Sequence, residues 1–204
     1  MPNLFLFLLA AMTLTLAPGP DNLYVLTRGV TQGRKAGLVA ALGFASGLLF
    51  HTMLAVLGFA AIIKAYPAAY HGLQYAGAAY LVYLGIRTWR AAAAMSLQAA
   101  TPPVPLRRIY WQSVLANILN PKVTLFFIAF LPQFVNSQAD YVPAQMLLLA
   151  LIFIVQALAI FSAIAFFSGI VGAYFQRQAG AALYLNRIAG CAFVGLGIRI
   201  ALPE

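Results

Sequence analysis

An apolar run over residues 4–26 is interrupted at its centre by Pro18-Gly19-Pro20, and Asp21 and Asn22 follow at once. The run has the length of a membrane-spanning helix, which takes about 20 apolar residues. Each proline removes a backbone donor and clashes with the preceding turn, and the glycine between them allows non-helical torsions. An ionised carboxylate inside such a span costs about 2.5–3.5 kcal/mol unless it is paired or hydrated. The sequence therefore predicts a broken membrane helix with a compensated Asp21 at its centre.

Five further apolar windows of similar length follow the first one. Hydrophobic residues make up 64% of the 204 residues and charged residues only 7%, which is typical of an integral membrane protein. With one helix in each window, the sequence predicts an all-α membrane protein with six transmembrane helices. The windows are residues 4–26, 38–63, 69–88, 112–135, 143–172 and 182–202.

The first window also resembles the apolar region of a signal peptide in its length. No Lys or Arg precedes it, and Pro18 directly follows Ala17, the only plausible small-residue cleavage point. We therefore expect the segment to be retained as the first span.

Most of the basic residues behind the formal charge of +9 lie between the apolar windows or at their edges. In a soluble chain it would indicate nucleic acid as a partner, but there the basic residues cluster on one face. Here the five links, with Arg87 and Arg187 at the window edges included, hold three, one, four, none and two Lys or Arg residues in chain order. Because positive charge favours the cytoplasmic side and its anionic lipid, the first, third and fifth links are predicted to be cytoplasmic. Both termini then face outward if all six spans cross, and a five-span arrangement with the N-terminus inside stays open.

A second break is predicted in the fourth window, where Asn120-Pro121-Lys122 again joins a helix breaker to a charged residue. Spans one and four occupy matching places in two three-span halves, which must have opposite orientations because three is odd. Inverted repeats with broken helices at corresponding positions point to the binding site of a secondary transporter. The chain is predicted to be one transmembrane domain, 1–204, with repeat one at about 1–90, a cytoplasmic linker at about 91–108 and repeat two at about 109–204.

The two breaks together suit a zwitterion bound near the centre of the membrane. Backbone groups freed at a break must be satisfied by protein, water or solute, and the two half-helix ends carry opposite partial charges. We expect a solute ammonium to meet Asp21 and the freed carbonyls, and a solute carboxylate to meet a half-helix N-terminus and Lys122. Without solute, these two side chains could neutralise each other. The alternative is that the prolines only kink packed helices and the charges serve stability.

Asn117 and His51 are further polar candidates inside apolar windows. Asn117 lies one helical turn before the second break, where it could contact a neighbouring helix or the solute. His51 shares one face of the second span with Gly43 and Gly47, whose small size favours close helix packing. An intramembrane histidine can relay protons, so Asp21 and His51 are the candidates for proton coupling, although His51 could equally bond a hydroxyl or a carbonyl. The candidate substrate-binding residues are Pro18, Gly19, Pro20, Asp21, Asn22, Asn117, Asn120, Pro121 and Lys122.

The sequence has no motif for ATP hydrolysis, metal binding or nucleophilic catalysis. A phosphate-binding loop is absent, and His51 and His71 lie in different segments without neighbouring Cys or carboxylates. A membrane hydrolase would need paired carboxylates or a serine beside His51. The single cysteine, Cys191, is expected to be a small buried residue. We therefore expect no cofactor, no metal and no enzymatic activity.

The order and spacing of six motifs resemble one known family, the LysE/RhtB amino-acid exporters, over essentially the whole chain. This resemblance implies a bacterial inner-membrane protein that exports a small amino acid or derivative, with the proton gradient as the driving force. Its partners would be the amino-acid substrate, protons and membrane lipid. The motifs are Pro18-Gly19-Pro20 with Asn22, Gly43 to Gly47, Asn120-Pro121-Lys122, Phe126 to Phe134, Arg187 with Gly190, and Gly195-Leu196-Gly197.

Asp21 is the only carboxylate that lies clearly inside an apolar window. A basic solute would favour more than one, so we expect a neutral amino acid. The alternative is an exporter or channel for a cation or another small metabolite on the same architecture. Small-residue helix faces also allow a homodimer.

Overall fold

The computed structural model describes residues 4–65, 69–91, 103–136, 141–178 and 180–202. Within these ranges the chain is almost entirely helical and contains no strand, which confirms the all-α prediction. The helices are α1 (Leu4–Leu16), α2 (Pro20–Gln32), α3 (Arg34–Ala65), α4 (Ala69–Arg90), α5 (Leu106–Ile118), α6 (Pro121–Leu125, continued by a π turn at Phe126–Phe130 and a 3-10 turn at Leu131–Phe134), α7 (Val142–Phe166), α8 (Ser168–Arg177) and α9 (Ala181–Ala201).

Three of the described helices are long and apolar enough to cross a membrane: α3 over Arg34–Gly58, α7 and α9. The pair α1 and α2, and the pair formed by α5 and the helix that begins at α6, each pass the same test as one bent span, with bends of 57° and 49°. The described residues therefore hold three clear spans, or five with each bent pair counted as one. Helix α4 fills the third predicted window with 22 residues, but Gln74, Arg87 and several tyrosines make its sequence less apolar.

Boundaries differ from the sequence prediction in both halves of the chain. Helix α2 runs to Gln32 and α3 begins at Arg34, so the predicted link between windows 4–26 and 38–63 is mostly helical.

Two boundaries differ in the second half. The fifth window, 143–172, is divided at Phe167, where α7 has ended and before α8 begins. Helix α5 begins at Leu106 and so takes up the end of the predicted linker 91–108. Residues 92–102 of that linker lie outside the described residues.

Both proline segments break their helices where the sequence predicts. At the first break Gly19 is fully extended (φ −161°, ψ 176°) and Pro20 is the first residue of α2. At the second, Asn120 is extended (φ −79°, ψ 107°) and Pro121 is the first residue of α6. Proline suits this position, because the first N–H groups of a helix have no intrahelical acceptor. The two breaks thus share one local design, an extended residue followed by a helix that starts with proline.

Glycines let the helices beside the second break approach each other closely. A Cβ added at Gly43 would lie 2.5 Å from the carbonyl oxygen of Tyr110, and one at Gly47 would lie 2.7 Å from side-chain atoms of Asn117. The face of α3 that carries these glycines and His51 therefore packs against α5. This confirms the close packing predicted for that face.

Helices α4 and α9 form a second close pair. A Cβ added at either Gly85 or Gly190 would lie 2.7 Å from the carbonyl oxygen of the other residue. Cys191, the next residue of α9, is exposed, so the expectation of a buried thiol was wrong. The reason is rotational: α9 buries the face that meets α4 and turns the adjacent position away from it.

We predict that Gly47→Ala destabilises the fold and that Gly58→Ala, in the same helix, does not. A methyl group at position 47 would overlap Asn117, whereas a Cβ at Gly58 meets nothing within 4 Å. Overpacking of this kind costs about 1–3 kcal/mol, and alanine is otherwise the better helix former. Thermal unfolding of the purified variants in detergent measures the effect. Equal midpoints for the two variants would contradict the packing described here.

Candidate functional site

The side chain of Asn120 joins the two helix breaks. Its Oδ1 accepts a hydrogen bond from the backbone N–H of Lys122 at 3.0 Å and so caps α6, while its Nδ2 donates to Oδ2 of Asp21 at 2.9 Å. The residue is only 8% exposed. One amide therefore satisfies a helix N-terminus at the second break and the carboxylate of the first. The two breaks meet, as the zwitterion hypothesis requires.

Side chains also satisfy the carbonyl groups at the end of α1. Asn22 Nδ2 donates to the oxygen of Thr15 at 2.9 Å, and Lys122 Nζ donates to the oxygens of Leu14 at 2.7 Å and Ala17 at 3.4 Å. In a soluble protein water would solvate these carbonyls, but inside a membrane span the protein must provide the donors. Asn22 and Lys122 thus form a C-terminal cap drawn from both halves of the chain.

A small cavity lies between the two breaks. Its volume is about 20 Å³, which is room for about one water molecule. Most of the predicted binding residues line it, while Pro121 lines a neighbouring groove and Pro18 lines neither space. The predicted residues around the cavity are Gly19, Pro20, Asp21, Asn22, Asn117, Asn120 and Lys122.

A larger groove of about 260 Å³ leads to the same residues from the protein surface. Leu119, which is 69% exposed, lies at its rim with the exposed Pro121. Pro20, Asp21 and Asn120 line both the groove and the small cavity, so the groove reaches the point where the breaks meet. Its volume approaches the roughly 300–1,000 Å³ of small-molecule sites.

The site carries one charge of each sign. Asp21 and Lys122 are the only residues with a formal charge among the described residues that line the cavity. Asn120 links them, because its side chain donates to the carboxylate and caps the backbone N–H of Lys122. The Lys122 ammonium itself lies on the carbonyls of α1. The structure thus places a protein ammonium where the sequence predicts a solute ammonium.

His51 lies beside the site and does not line the cavity. It is 1% exposed, its Nε2 lies 3.0 Å from the carbonyl oxygen of Asn117, and the ring of Phe127 packs 5.9 Å away. The alternative of a carbonyl partner is confirmed for this nitrogen, while Nδ1 has no partner among the described residues. Asn117, which lines the cavity, connects His51 to the site.

Sequence reasoning missed two polar residues at the site, Thr15 and Tyr24. The hydroxyl of Thr15, in the cavity wall, accepts a hydrogen bond from Gln156 Nε2 at 3.0 Å. Tyr24 lines the groove, and its hydroxyl donates to Gln112 Oε1 at 2.9 Å. Their positions in the sequence could have indicated them, since Thr15 and Tyr24 are polar residues within about two helical turns of the first break.

Broken helices whose ends meet inside the molecule define the class of this protein. In secondary transporters, discontinuous helices bring half-helix ends and ionisable side chains together at the solute site. The fold and the site are those of a multi-pass membrane transporter.

Comparison with known proteins gives the family. The LysE type translocator family matches residues 12–203, and the chain belongs to that family. This confirms the resemblance seen in the sequence motifs. No solved structure matches the chain.

Similar proteins cover nearly the whole chain. It is 31% identical to the leucine efflux protein of Salmonella typhimurium, over 98% of this chain and 94% of that one. It is 30% identical to the homoserine/homoserine lactone efflux protein of the same organism, over 97% and 95%. It is also 33% identical to an uncharacterized membrane protein of Pseudomonas aeruginosa, over 96% and 93%. These relatives confirm the prediction of a multi-pass bacterial membrane protein of the transport and efflux class.

Proposed function

We propose that this protein exports a small neutral amino acid or derivative from the bacterial cytoplasm in exchange for protons. The observation that carries the proposal is a carboxylate and an ammonium side chain held where two broken helices meet. Two relatives are named for efflux of leucine and of homoserine or its lactone. A neutral zwitterion matches a site with one charge of each sign, whereas a basic solute would bring a second positive charge without a second carboxylate among the described cavity residues.

The proposed pose follows from the charges around the cavity. The solute ammonium would lie between Asp21 and the carbonyls at the end of α1, which carry the partial negative charge of a helix C-terminus. The solute carboxylate would meet Lys122 and the N-terminus of α2, where Gly19 provides no side-chain cap. Tyr24 and Phe44 in the groove would pack against the solute side chain.

Coupling would follow from competition for a single carboxylate. On the outward-facing side a proton would neutralise Asp21 and weaken its hold on the solute ammonium. On the cytoplasmic side the proton would leave, and the restored carboxylate would bind the next solute. Because Asp21 carries either a proton or a solute, each cycle exchanges one for the other. His51, through its contact with Asn117, is proposed as an additional proton carrier.

The proposed architecture is six membrane crossings in two inverted repeats, at about 1–90 and 109–204. Packing between corresponding helices supports it: α3 packs against α7, α4 packs against α9, and each broken pair packs against the long helix of the other half. Helix α4 has 22 residues, or about 33 Å at 1.5 Å per residue, which is enough to cross the hydrocarbon core.

Reporters fused to the two termini test this architecture. With six crossings and cytoplasmic first, third and fifth links, both termini should report from the outer side of the membrane. Reporters on opposite sides would support the five-span arrangement and contradict the inverted repeat.

Transport in proteoliposomes tests the function. An imposed pH gradient should drive saturable transport of leucine or homoserine by the unmodified protein. Asp21→Asn should lower the driven rate at least about tenfold while the protein stays folded, because an amide at this position neither takes up nor releases a proton. Asp140→Asn is the matched control, since Asp140 stands in the fourth link of the sequence, and it should keep the full rate. His51→Gln should lower the rate if His51 carries protons.

Undiminished pH-driven transport by Asp21→Asn would end the proposal of proton coupling. Flux of a cation or another metabolite, with no saturation by amino acid, would favour the alternative of a channel or cation exporter. Full activity of His51→Gln would limit His51 to helix packing.

A further inference from the structure

The most unusual contact at the site is made by the ammonium group of Lys122. It donates 2.7 Å to the oxygen of Leu14 and 3.4 Å to the oxygen of Ala17. These carbonyls end α1 inside a membrane span, where they combine unsatisfied backbone acceptors with the negative end of the helix dipole. A primary ammonium with its three N–H donors fits such a place. Lys122 therefore occupies the pair of carbonyls of Leu14 and Ala17, which we call the ammonium site.

An amino-acid solute brings a primary ammonium of its own. The cavity around the Lys122 head group has a volume of only about 20 Å³, too small to admit a second such group beside the first. A solute ammonium and the Lys122 ammonium therefore exclude each other from the α1 carbonyls.

We propose that Lys122 is the resident occupant of the ammonium site and is displaced by the transported solute. The solute ammonium replaces Lys122 on the Leu14 and Ala17 carbonyls, and the released Lys122 pairs with the solute carboxylate. The exchange keeps both α1 carbonyls hydrogen-bonded with or without solute. The empty site therefore does not depend on water, which the membrane core does not supply. The proposal rests on the proposed function for the identity of the solute, but the ammonium site itself does not.

The first break leaves space for this movement at Gly19. Gly19 is extended, with φ at −161°, a conformation that any residue adopts, so glycine is not needed there for its torsions. A Cβ added to it would lie 3.8 Å from Lys122 Nζ. Because position 19 has no side chain, no Cβ fills this contact position beside the lysine head group.

The exchange also explains selection for a complete zwitterion. An amine without a carboxylate would displace Lys122 and put two positive charges beside the single carboxylate of Asp21, which is strongly unfavourable in a buried site. An amino acid supplies a second carboxylate in the same molecule. The unmodified protein should therefore reject simple amines, and removal of the lysine should admit them.

Thermal unfolding in detergent tests the site with 3-methylbutylammonium, which is leucine without its carboxylate. The amine should raise the unfolding midpoint of Lys122→Ala by about 5 °C when present at about a hundred times its dissociation constant. It should leave the unmodified protein within about 1 °C. Tetramethylammonium, which has no N–H donor, should have no effect on either protein.

Two control variants separate this site from other effects of the amine. Lys122→Met fills the same space without a charge and should not respond, because its side chain blocks the carbonyls. Lys35→Ala removes an exposed lysine and should behave like the unmodified protein. If Lys122→Ala requires the amine during purification and then unfolds when the amine is removed, the proposal is supported.

The proposal is overturned if the amine does not stabilise Lys122→Ala, if tetramethylammonium stabilises it equally, or if the variant cannot be recovered folded even with the amine. Leucine and homoserine form a separate arm of the experiment. Failure of both to shift the unmodified protein would count against the proposed substrates, while the amine response of Lys122→Ala would still decide the ammonium site.

Discussion

The hydrogen bond from Asn120 to Asp21 is the contact on which the centre of this structure depends. A break inside a membrane span frees backbone donors and acceptors where no bulk water can reach them. Here the second break supplies Asn120 and Lys122 to the first, and together with Asn22 they satisfy both the carboxylate and the end of α1. Without the other half of the chain, the break in each half would leave polar groups without hydrogen-bond partners inside the membrane.

This mutual satisfaction also suits a transporter. A site that binds its solute with the protein's own charges must keep those charges satisfied when the solute is absent, or the empty protein could not complete the cycle. Asp21 has Asn120 as its partner in the present conformation, and Lys122 has the carbonyls of α1. The groove that reaches Asp21 beside Tyr24 gives a solute access to the Asp21 carboxylate. Binding then becomes an exchange of partners and does not require the creation of new charges.

The parts of this arrangement that follow from local chemistry could be predicted from the sequence. Pro20 and Pro121 start helices because of their own backbone geometry, and the small residues of α3 imply close packing wherever that helix lies. The partner of Lys122 could not be predicted, because it is a carbonyl 108 residues away whose position depends on how the halves fold together. Cys191 was misjudged for a similar reason, since its exposure depends on the rotation of α9 about its axis. Residue type alone does not specify that rotation.

A rescue experiment on the Asp21 and Asn120 pair tests the central claim that the two breaks are joined here. Asn120→Asp keeps the cap on α6 but sets two carboxylates against each other, and the added Asp21→Asn restores one donor and one acceptor with their places exchanged. The account predicts that the single Asn120→Asp variant unfolds at a lower temperature and that the double variant recovers most of the loss, an interaction energy of about 0.5–3 kcal/mol. A double variant no more stable than Asn120→Asp would contradict it.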